Sequence, residues 1–287
     1  MQELVNLLVD TPWLLTLVIA VLGLCVGSFL NVVIYRLPKM MEQEWRYECS
    51  ILLNGTETSP TEPALTLSKP ASSCPSCQHK IRWYENIPLI SWVALRGKCS
   101  QCRRSIGIRY PVVELLTMLA SIVVVLTFGP TFKMLAALIL TWVLIALTGI
   151  DFDTQLLPDS LTLPLAGLGL LVNTQSLFVS PTQSIWGYVI GFLILWLVYI
   201  AFKLITGKEG MGYGDFKLLA ALGAWLGPLM LPMIILLSSL VGAIIGIALL
   251  KIRKENQPFA FGPFLAIAGW IALIWGNELM ILYLGQS

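Results

Sequence analysis

The chain of 287 residues is 57% hydrophobic and only 12% charged, whereas a soluble domain has roughly 25% charged residues. This composition excludes an ordinary soluble protein, and the formal net charge of +2 gives no indication of a nucleic-acid-binding surface. Apolar runs of roughly 20 residues recur, and each can cross a hydrocarbon core of about 30 Å as a helix. They cover 13–34, 112–129, 131–150, 160–178, 185–206, 229–250 and 261–284, with a shorter run at 216–227 as a possible eighth crossing.

These runs predict an all-α polytopic membrane protein, a bundle of about eight transmembrane helices, because a helix satisfies its own backbone polar groups in lipid. The first run is too long for the apolar core of a signal peptide and has no small-residue cleavage site, so we predict that it stays as a helix. Glycines four residues apart predict close helix packing. These pairs are Gly23/Gly27, Gly187/Gly191 and Gly242/Gly246.

The lysines and arginines predict the orientation. If the first helix crosses from outside to inside, the inner segments are 35–111, 151–159, 207–215 and 251–260. Counting Lys203 and Lys217 at adjacent helix ends, these segments hold all of the chain's 18 lysines and arginines except Lys133. Basic residues concentrate on the cytoplasmic side of membrane proteins, so we place these segments in the cytoplasm.

The first inner segment, 35–111, is predicted to form a small cytosolic domain with a zinc-ribbon-like site. It holds two CxxC pairs, whose four thiolates suit a closed, structural tetrahedral zinc site. Two disulfides or idle thiols are the alternatives, and a cytosolic location disfavours disulfides. His79 is a weaker competitor for a ligand position, and Cys25 and Cys49 have no partner pattern. The four predicted ligands are Cys74, Cys77, Cys99 and Cys102.

Four aspartates lie at predicted inner helix ends, where a carboxylate within a helix bundle is costly and indicates a function. They are Asp151, Asp153, Asp159 and Asp215. For Asp153 and Asp159, simple solvation of a loop end is an equal alternative. Asp215 follows the glycines of EGMGYGD, at 210, 212 and 214. Glycine permits left-handed or extended turns and close backbone approach, as a peptide substrate beside Asp215 would require.

Two aspartates remain as the plausible acid–base pair once histidine-based catalytic sites and nucleotide-binding motifs are excluded. The only histidine is His79, so neither an HExxH zinc protease nor a membrane Ser–His arrangement is available. No P-loop or Rossmann-type GxGxxG is present. Two close carboxyls do not both ionise easily, so one keeps a proton near neutrality. The ionised member of the pair can then activate water while the protonated member hydrogen-bonds a scissile carbonyl.

The sequence GYGD at 212–215 is a GxGD motif, and DFDTQLLPD supplies an upstream aspartate followed by a leucine–proline step. The chain closely resembles the type IV prepilin peptidases, which are bacterial GxGD aspartyl proteases. The resemblance covers nearly the whole chain in the expected order. Beside the CxxC pairs, it includes GSFLNVVIYRLP at 27–38, NIPLISWVALRG at 86–97, YPVVELL at 110–116, GDFKLLAALGAW at 214–225 and FGPFLA at 261–266.

This resemblance implies a bifunctional enzyme of the bacterial inner membrane, in which Asp151 and Asp215 are the catalytic pair and Asp153 ranks second. Such enzymes remove the short basic leader of type IV prepilins and type II secretion pseudopilins on the cytoplasmic side, after a glycine. They then methylate the new N-terminal residue, usually phenylalanine, with S-adenosylmethionine. Supporting residues near the pair are Asp153, Asp159, Gly212, Gly214 and Lys217, and Lys217 has a lipid phosphate as its alternative partner.

The resemblance also suggests a division of the chain. Residues 1–34 form the first transmembrane helix, residues 35–111 the cytosolic four-cysteine domain associated with methylation, and residues 112–287 the aspartyl protease bundle. Each candidate residue for methylation could instead have a purely structural role, either in close helix packing or as a hydrogen-bonded polar group. These candidates are Gly27, Ser28, Asn31, Arg36, Gly97 and Glu114.

Two other classes of protein would also use some of these residues. A membrane transporter places carboxylates in a helix bundle, but it usually has repeated halves and charges at the midplane of the membrane, whereas here the acidic residues gather at one face. A zinc-ribbon membrane assembly factor would need the cysteines but not the GxGD glycines.

Overall fold

The structure is a computed structural model that describes residues 11–54, 65–208, 210–253 and 260–284. In these ranges the regular structure is helical, apart from two isolated antiparallel bridges. Two short 3₁₀ turns lie at Trp83–Asn86 and Pro228–Met230. The α-helices are α1 Pro12–Asn54, α2 Ile90–Ala94, α3 Arg109–Phe128, α4 Phe132–Thr154, α5 Asp159–Asn173, α6 Pro181–Thr206, α7 Tyr213–Leu226, α8 Leu231–Arg253 and α9 Gly262–Leu284.

The all-α prediction is confirmed, and each of the eight apolar runs coincides with a helix. Six helices in the described part of the chain are long and apolar enough to cross a membrane: α1, α3, α4, α6, α8 and α9. The other two, α5 and α7, have 15 and 14 residues. At 1.5 Å per residue they reach only about 20–23 Å, so they lie within the bundle without matching a full crossing.

Helix α5 ends earlier than the predicted run at 160–178, and the side chain of Asn173 explains why. Its amide Nδ2 donates to the carbonyl oxygens of Ala224 and Trp225, at 2.9 and 3.1 Å. Its Oδ1 accepts from the backbone N–H groups of Phe178 and Val179. This buried amide therefore holds a turn in place of the last helical residues.

Helix α1 extends well beyond the predicted apolar run at 13–34 and has 43 residues in total, with Pro38 in its interior. The extension, from residue 35 onward, contains three glutamates, three leucines, two methionines and two arginines, which are good helix formers. The first part of the predicted cytosolic domain is thus a continuation of the membrane helix.

The chain divides into two compact units, Met1–Leu126 and Thr127–Ser287. In the first unit, α1 packs closely on α3 through its glycine pair. A Cβ at Gly23 would lie 3.0 Å from the Cα of Met118, and one at Gly27 would lie 2.8 Å from the Cα of Glu114. Larger residues at either glycine would push the two helices apart.

In the second unit, α7 is the central helix and is packed between α5 and α6. A Cβ at Gly187 of α6 would collide with the carbonyl of Gly223, and one at Gly191 would lie 2.7 Å from the carbonyl oxygen of Leu219. On the opposite side, Trp225 Nε1 donates to the carbonyl of Leu165 at 2.8 Å. Helix α7 is consequently buried along most of its length and holds its N-terminal turn in a fixed place.

Candidate active site and metal centre

Asp151 lies in the last helical turn of α4 and is only 4% exposed. The helix ends four residues later, where Gln155 adopts a left-handed conformation and its N–H donates to the carbonyl of Asp151 at 2.9 Å. Within the described structure, Oδ2 of Asp151 is buried and has no hydrogen-bond partner. A buried acceptor without a partner is costly, so this oxygen is available to a water molecule or a substrate.

Asp215 lies in the first turn of α7 and is 8% exposed. Its N–H donates to the carbonyl of Gly212, which caps the helix in an extended conformation. Neither Gly212 nor Gly214 has a positive φ. Gly214 is required instead for close approach, because a Cβ there would lie 2.7 Å from the Cβ of Leu157.

The two aspartates converge around Leu157 and Gly262. A Cβ at Gly262, the first residue of α9, would lie 2.6 Å from Oδ2 of Asp151 and 3.0 Å from Cδ1 of Leu157. Since Leu157 also touches Gly214, one short loop links both carboxyls, and they are close enough to interact electrostatically. The sequence singled out neither Leu157 nor Gly262 as a site residue, although Gly262 belongs to the FGPFLA segment.

Asp153 and Asp159 lie outside this buried pair. Asp153 is exposed although it is only two residues from Asp151, because positions i and i+2 of a helix face different directions. Asp159 begins α5, and both of its carboxylate oxygens accept from Nζ of Lys217 at 2.7 Å. Lys217 thus pairs with Asp159 and joins the first turn of α5 to α7.

The predicted methylation residues belong to the first unit, and four of them form one network between α1 and α3. The carboxylate of Glu114 accepts from the N–H of Leu89 at 2.8 Å and also bonds the Ser28 side chain. Asn31 donates to the carbonyls of Gly27 and Tyr110. Each of these groups therefore has a packing or hydrogen-bonding role.

The other two candidates shape the loops of that unit. Arg36 is 8% exposed, and its guanidinium donates to three carbonyls of the loop after residue 65. Gly97 has φ +65, and a Cβ there would lie 2.9 Å from the ring of Trp92. The bonds of Arg36 reach Thr66, Leu67 and Pro70 at 2.8–3.3 Å.

The four predicted cysteine ligands come together in one cluster, with all four Sγ atoms within 4.8 Å of one another. Cys74 and Cys102 have Sγ atoms 3.7 Å apart, and Cys77 and Cys99 have them 3.9 Å apart. Both distances far exceed the roughly 2.05 Å of a disulfide, and all six described cysteines are free. The cluster can therefore hold a metal ion.

Two turns of matching geometry carry these cysteines. The N–H of Cys74 donates to the carbonyl of His79, and the N–H of Cys99 donates to that of Arg104, each at 2.9 Å. Gln78 and Arg103 occupy equivalent positions and both have φ of 56°. In the first turn, the N–H groups of Ser76 and Cys77 lower the pKa of the Cys74 thiol to about 6, whereas desolvation and the neighbouring thiols raise the pKa of Cys77 to about 11. Cys74 is therefore the member of this turn that is most readily present as the thiolate that a metal binds.

His79 is not among the residues that can hold this ion. Its ring bonds the carboxylate of Glu85 at 3.3 Å, so it is neither a ligand nor simply solvated. Glu85 also accepts from the N–H of Arg82 and bonds Ser100, and these contacts lower the pKa of its carboxyl. Because His79 follows the first turn and Ser100 lies in the second, Glu85 connects the two. Sequence reasoning missed this residue.

The fold and these two sites define a class: a polytopic helical membrane protein with a buried carboxylate pair and a separate four-cysteine centre. Residues 21–128 match the bacterial peptidase A24 N-terminal domain, and residues 138–247 match the type IV leader peptidase family. The chain belongs to the type IV leader peptidase family, which confirms the resemblance and the prediction of an enzyme. The transporter and assembly-factor alternatives are thereby set aside.

Individual relatives align over nearly their full length. The chain is 54% identical over 286 residues to a prepilin leader peptidase/N-methyltransferase of Aeromonas hydrophila, covering 99% of each chain. It is 54% identical to the protein of that name from Pseudomonas aeruginosa, covering 99% of this chain and 98% of the relative. A Legionella pneumophila relative of the same name is 46% identical, covering 97% and 98%. No solved structure matches the chain.

Proposed function

We propose that this enzyme removes the leader peptides of type IV prepilins and type II secretion pseudopilins and then methylates the new N-terminus with S-adenosylmethionine. The observation that carries the proposal is the convergence of two buried aspartates, Asp151 and Asp215, around the loop of Leu157, against which Gly214 and Gly262 pack. The names of the full-length relatives supply the substrate class and the second activity.

In the proposed cleavage, Asp151 and Asp215 share one proton. The ionised carboxylate takes a proton from a water molecule, whose oxygen attacks the scissile carbonyl, while the protonated carboxyl donates a hydrogen bond to the carbonyl oxygen. Collapse of the tetrahedral intermediate breaks the C–N bond, and the leaving amine receives a proton from the pair. Gly262 has no side chain, so the start of α9 lies directly against the carboxylate of Asp151 and helps to fix its position.

Asp153 and Asp159 receive supporting roles in this proposal. Asp153 is exposed, which argues against its membership of the pair. The ion pair between Asp159 and Lys217 fastens the start of α5 to the helix that carries Asp215. Gly212 caps α7 in an extended conformation and Gly214 lets Leu157 pack against the turn before Asp215, so both glycines fix the position of that carboxyl.

The four cysteines are proposed to bind a structural zinc ion. A tetrahedral site with Zn–S bonds of about 2.3 Å requires sulfur atoms about 3.8 Å apart. Two of the sulfur pairs, at 3.7 and 3.9 Å, already have that spacing. With four thiolates as ligands, no position is left for a substrate, so zinc would stabilise the domain and not take part in cleavage.

Methylation is assigned to the first unit, where S-adenosylmethionine would supply the methyl group. The amine that accepts it exists only after cleavage, so the two reactions are sequential. Asn31, Arg36 and Glu114, together with Ser28, give this unit polar groups in its interior, and Gly27 and Gly97 permit its close packing. We assign the peptidase to the second unit and place both sites on the cytoplasmic side of the inner membrane, in contact with lipid, following the distribution of basic residues.

An assay with a prepilin in membranes tests the proposal, with leader loss and methyl transfer followed separately. Asp151→Asn and Asp215→Asn should each abolish cleavage without loss of membrane insertion, since neither carboxyl replaces the other. Asp153→Asn, two residues from Asp151 but exposed, is the matched control and should retain cleavage. Appreciable cleavage by Asp151→Asn, with none by Asp153→Asn, would transfer the role to Asp153.

A second substrate separates the two activities. A peptide that already begins at the mature N-terminal residue needs no cleavage, so the Asp215→Asn variant should methylate it at the wild-type rate. Failure of that variant on the pre-cut peptide would show that the two sites depend on each other.

A further inference from the structure

Helix α2 carries two of the strongly exposed apolar side chains of the four-cysteine domain. Ile90 and Val93 are each 67% exposed, and residues three apart lie on the same side of a helix. Trp92 points elsewhere, toward Gly97 and the carbonyl of Ile106. We name Ile90 and Val93 the α2 face. No charged residue occurs from 86 to 95, so the α2 face lies in the middle of an uncharged stretch.

A hydrogen bond ties the start of α2 to a candidate membrane span. Leu89, the residue before α2, donates its N–H to the carboxylate of Glu114 at 2.8 Å. Glu114 belongs to α3, a candidate membrane span that begins at Arg109. With a rise of 1.5 Å per residue, Glu114 lies about 7–8 Å beyond the first residue of the span.

A second contact shows where the two long helices meet near α2. Asn31 of α1 donates to the carbonyl of Tyr110 at 3.1 Å, so the end of the first apolar run meets the beginning of α3. The start of α2 is therefore fixed beside both helices near the point where they leave the hydrocarbon. The headgroup layers add about 5–8 Å on each side of the core, so a helix that is tied to the second turn of α3 lies within reach of them.

The charges next to α2 match one lipid class. No acidic residue occurs between Glu85 and Glu114, whereas five basic residues do. Basic residues beside a membrane are attracted to anionic headgroups, by about 1 kcal/mol each near the surface. The five are Arg96, Lys98, Arg103, Arg104 and Arg109.

We propose that α2 is an interfacial helix that inserts Ile90 and Val93 into the bilayer leaflet at the start of α3, with the following basic residues at anionic phospholipid headgroups. A short helix with its apolar side in lipid and basic residues nearby is the pattern of a membrane-surface anchor. The anchor holds the four-cysteine domain against the membrane. This proposal depends on the membrane location of the protein and is independent of both enzymatic activities.

Site-specific photocrosslinking in proteoliposomes tests the anchor. A photoreactive amino acid is introduced in the full-length chain at Ile90 or Val93, in vesicles of phosphatidylglycerol and phosphatidylethanolamine with radiolabelled lipid. Both positions are exposed, so the probe displaces no packed neighbour. Lys80, an exposed residue beside the first cysteine turn, is the control. We expect several-fold more labelled lipid at Ile90 and Val93 than at Lys80.

Equal lipid labelling at the three positions would overturn the proposal. So would crosslinks from the α2 face to protein in place of lipid, because they would identify the face as a protein-binding surface. Hydrogen–deuterium exchange on the unmodified chain covers the case in which a probe disturbs folding. The amides of 90–95 should exchange several-fold more slowly in phospholipid nanodiscs than in short-chain detergent, and equal rates would contradict insertion.

Discussion

The carboxylate pair and the four-cysteine cluster are held in place in opposite ways. The cysteines lie on two short turns of matching geometry that require few neighbours beyond themselves. The aspartates lie on two different helices and are placed by close contacts at glycines, among them Gly214 and Gly262. The cysteine cluster should therefore depend on a bound metal ion and tolerate changes in packing. The carboxylate pair should tolerate chelators and lose activity when a larger side chain is introduced beside it.

Removal of the metal is the strongest test of this contrast. Replacing Cys74 and Cys77 together by serine should release one zinc ion and unfold the turns, because metal binding supplies much of the folding free energy of such a domain. We expect methylation to be lost and prepilin cleavage to continue. Elemental analysis and the two activity assays on the same preparation measure this outcome.

Cys25→Ser and Cys49→Ser are the matched controls for that variant, since both cysteines lie outside the cluster and are exposed. Neither should change the zinc content. Absence of zinc from carefully purified wild-type protein would remove the basis of the prediction. Equal loss of cleavage and methylation would mean that the cysteine domain supports the whole fold.

Added volume beside Asp151 is the corresponding test of the second site. In Gly262→Ala, the new methyl group would lie 2.6 Å from Oδ2 of Asp151, and overpacking of this kind costs about 1–3 kcal/mol. Cleavage should fall by at least an order of magnitude, while zinc content and methylation of a pre-cut peptide stay unchanged. Gly167→Ala is the control, because a Cβ there meets nothing within 4 Å, and an equal loss in both variants would contradict the prediction.

A smaller effect is expected for the carboxylate that joins the two cysteine turns. Glu85→Gln keeps the size of the side chain but weakens its bonds to the N–H of Arg82 and to His79. Zinc should then transfer to a chelator faster than in the wild type, with the equilibrium zinc content unchanged. Arg104→Gln alters the position equivalent to His79 in the second turn and should leave the transfer rate unchanged, so an equal acceleration would assign the effect to general surface charge.

The smallest effect should come from the ion pair of Asp159 and Lys217, whose side chains are 55% and 30% exposed. Exposed pairs contribute about 0–1 kcal/mol, so Lys217→Met should reduce cleavage only slightly. The exchanged pair Asp159→Lys with Lys217→Asp should recover what each single change loses. A large loss in Lys217→Met that the exchange leaves uncorrected would give Lys217 a direct role in the reaction.

Much of the fold could be predicted because lipid imposes simple rules on the sequence. Eight apolar runs became eight helices, and glycine spacing predicted the close packing at Gly187/Gly191 and Gly23/Gly27. The same spacing was misleading for Gly242/Gly246. A Cβ at Gly246 meets nothing within 4 Å, and one at Gly242 makes only ordinary contacts. Spacing reports where close packing is possible, and only a neighbouring helix decides whether it occurs.

The cysteine cluster and the acidic site could be predicted from the sequence to different extents. The CxxC spacing is local, so the cluster could be predicted from a few residues. The parts of the acidic site that sequence reasoning missed, Leu157 and Gly262, come from separate segments, and their importance depends on which helices meet. Glu85 was missed for a related reason, because its partners Ser100 and His79 lie in different turns. The early end of α5 likewise depends on a buried amide that contacts α7.

The length of α1 has a geometric consequence for whatever follows it. Its 43 residues extend for about 65 Å, roughly twice the hydrocarbon thickness of about 30 Å. Because the helix is continuous, the directions of the side chains beyond the membrane are fixed by the orientation of the part within it. One residue inserted between Pro38 and Gln43 would turn every later side chain by about 100°. The side chain of Gln43, whose Oε1 now accepts a hydrogen bond from the N–H of Leu65, would then point away from Leu65, although no membrane contact had changed.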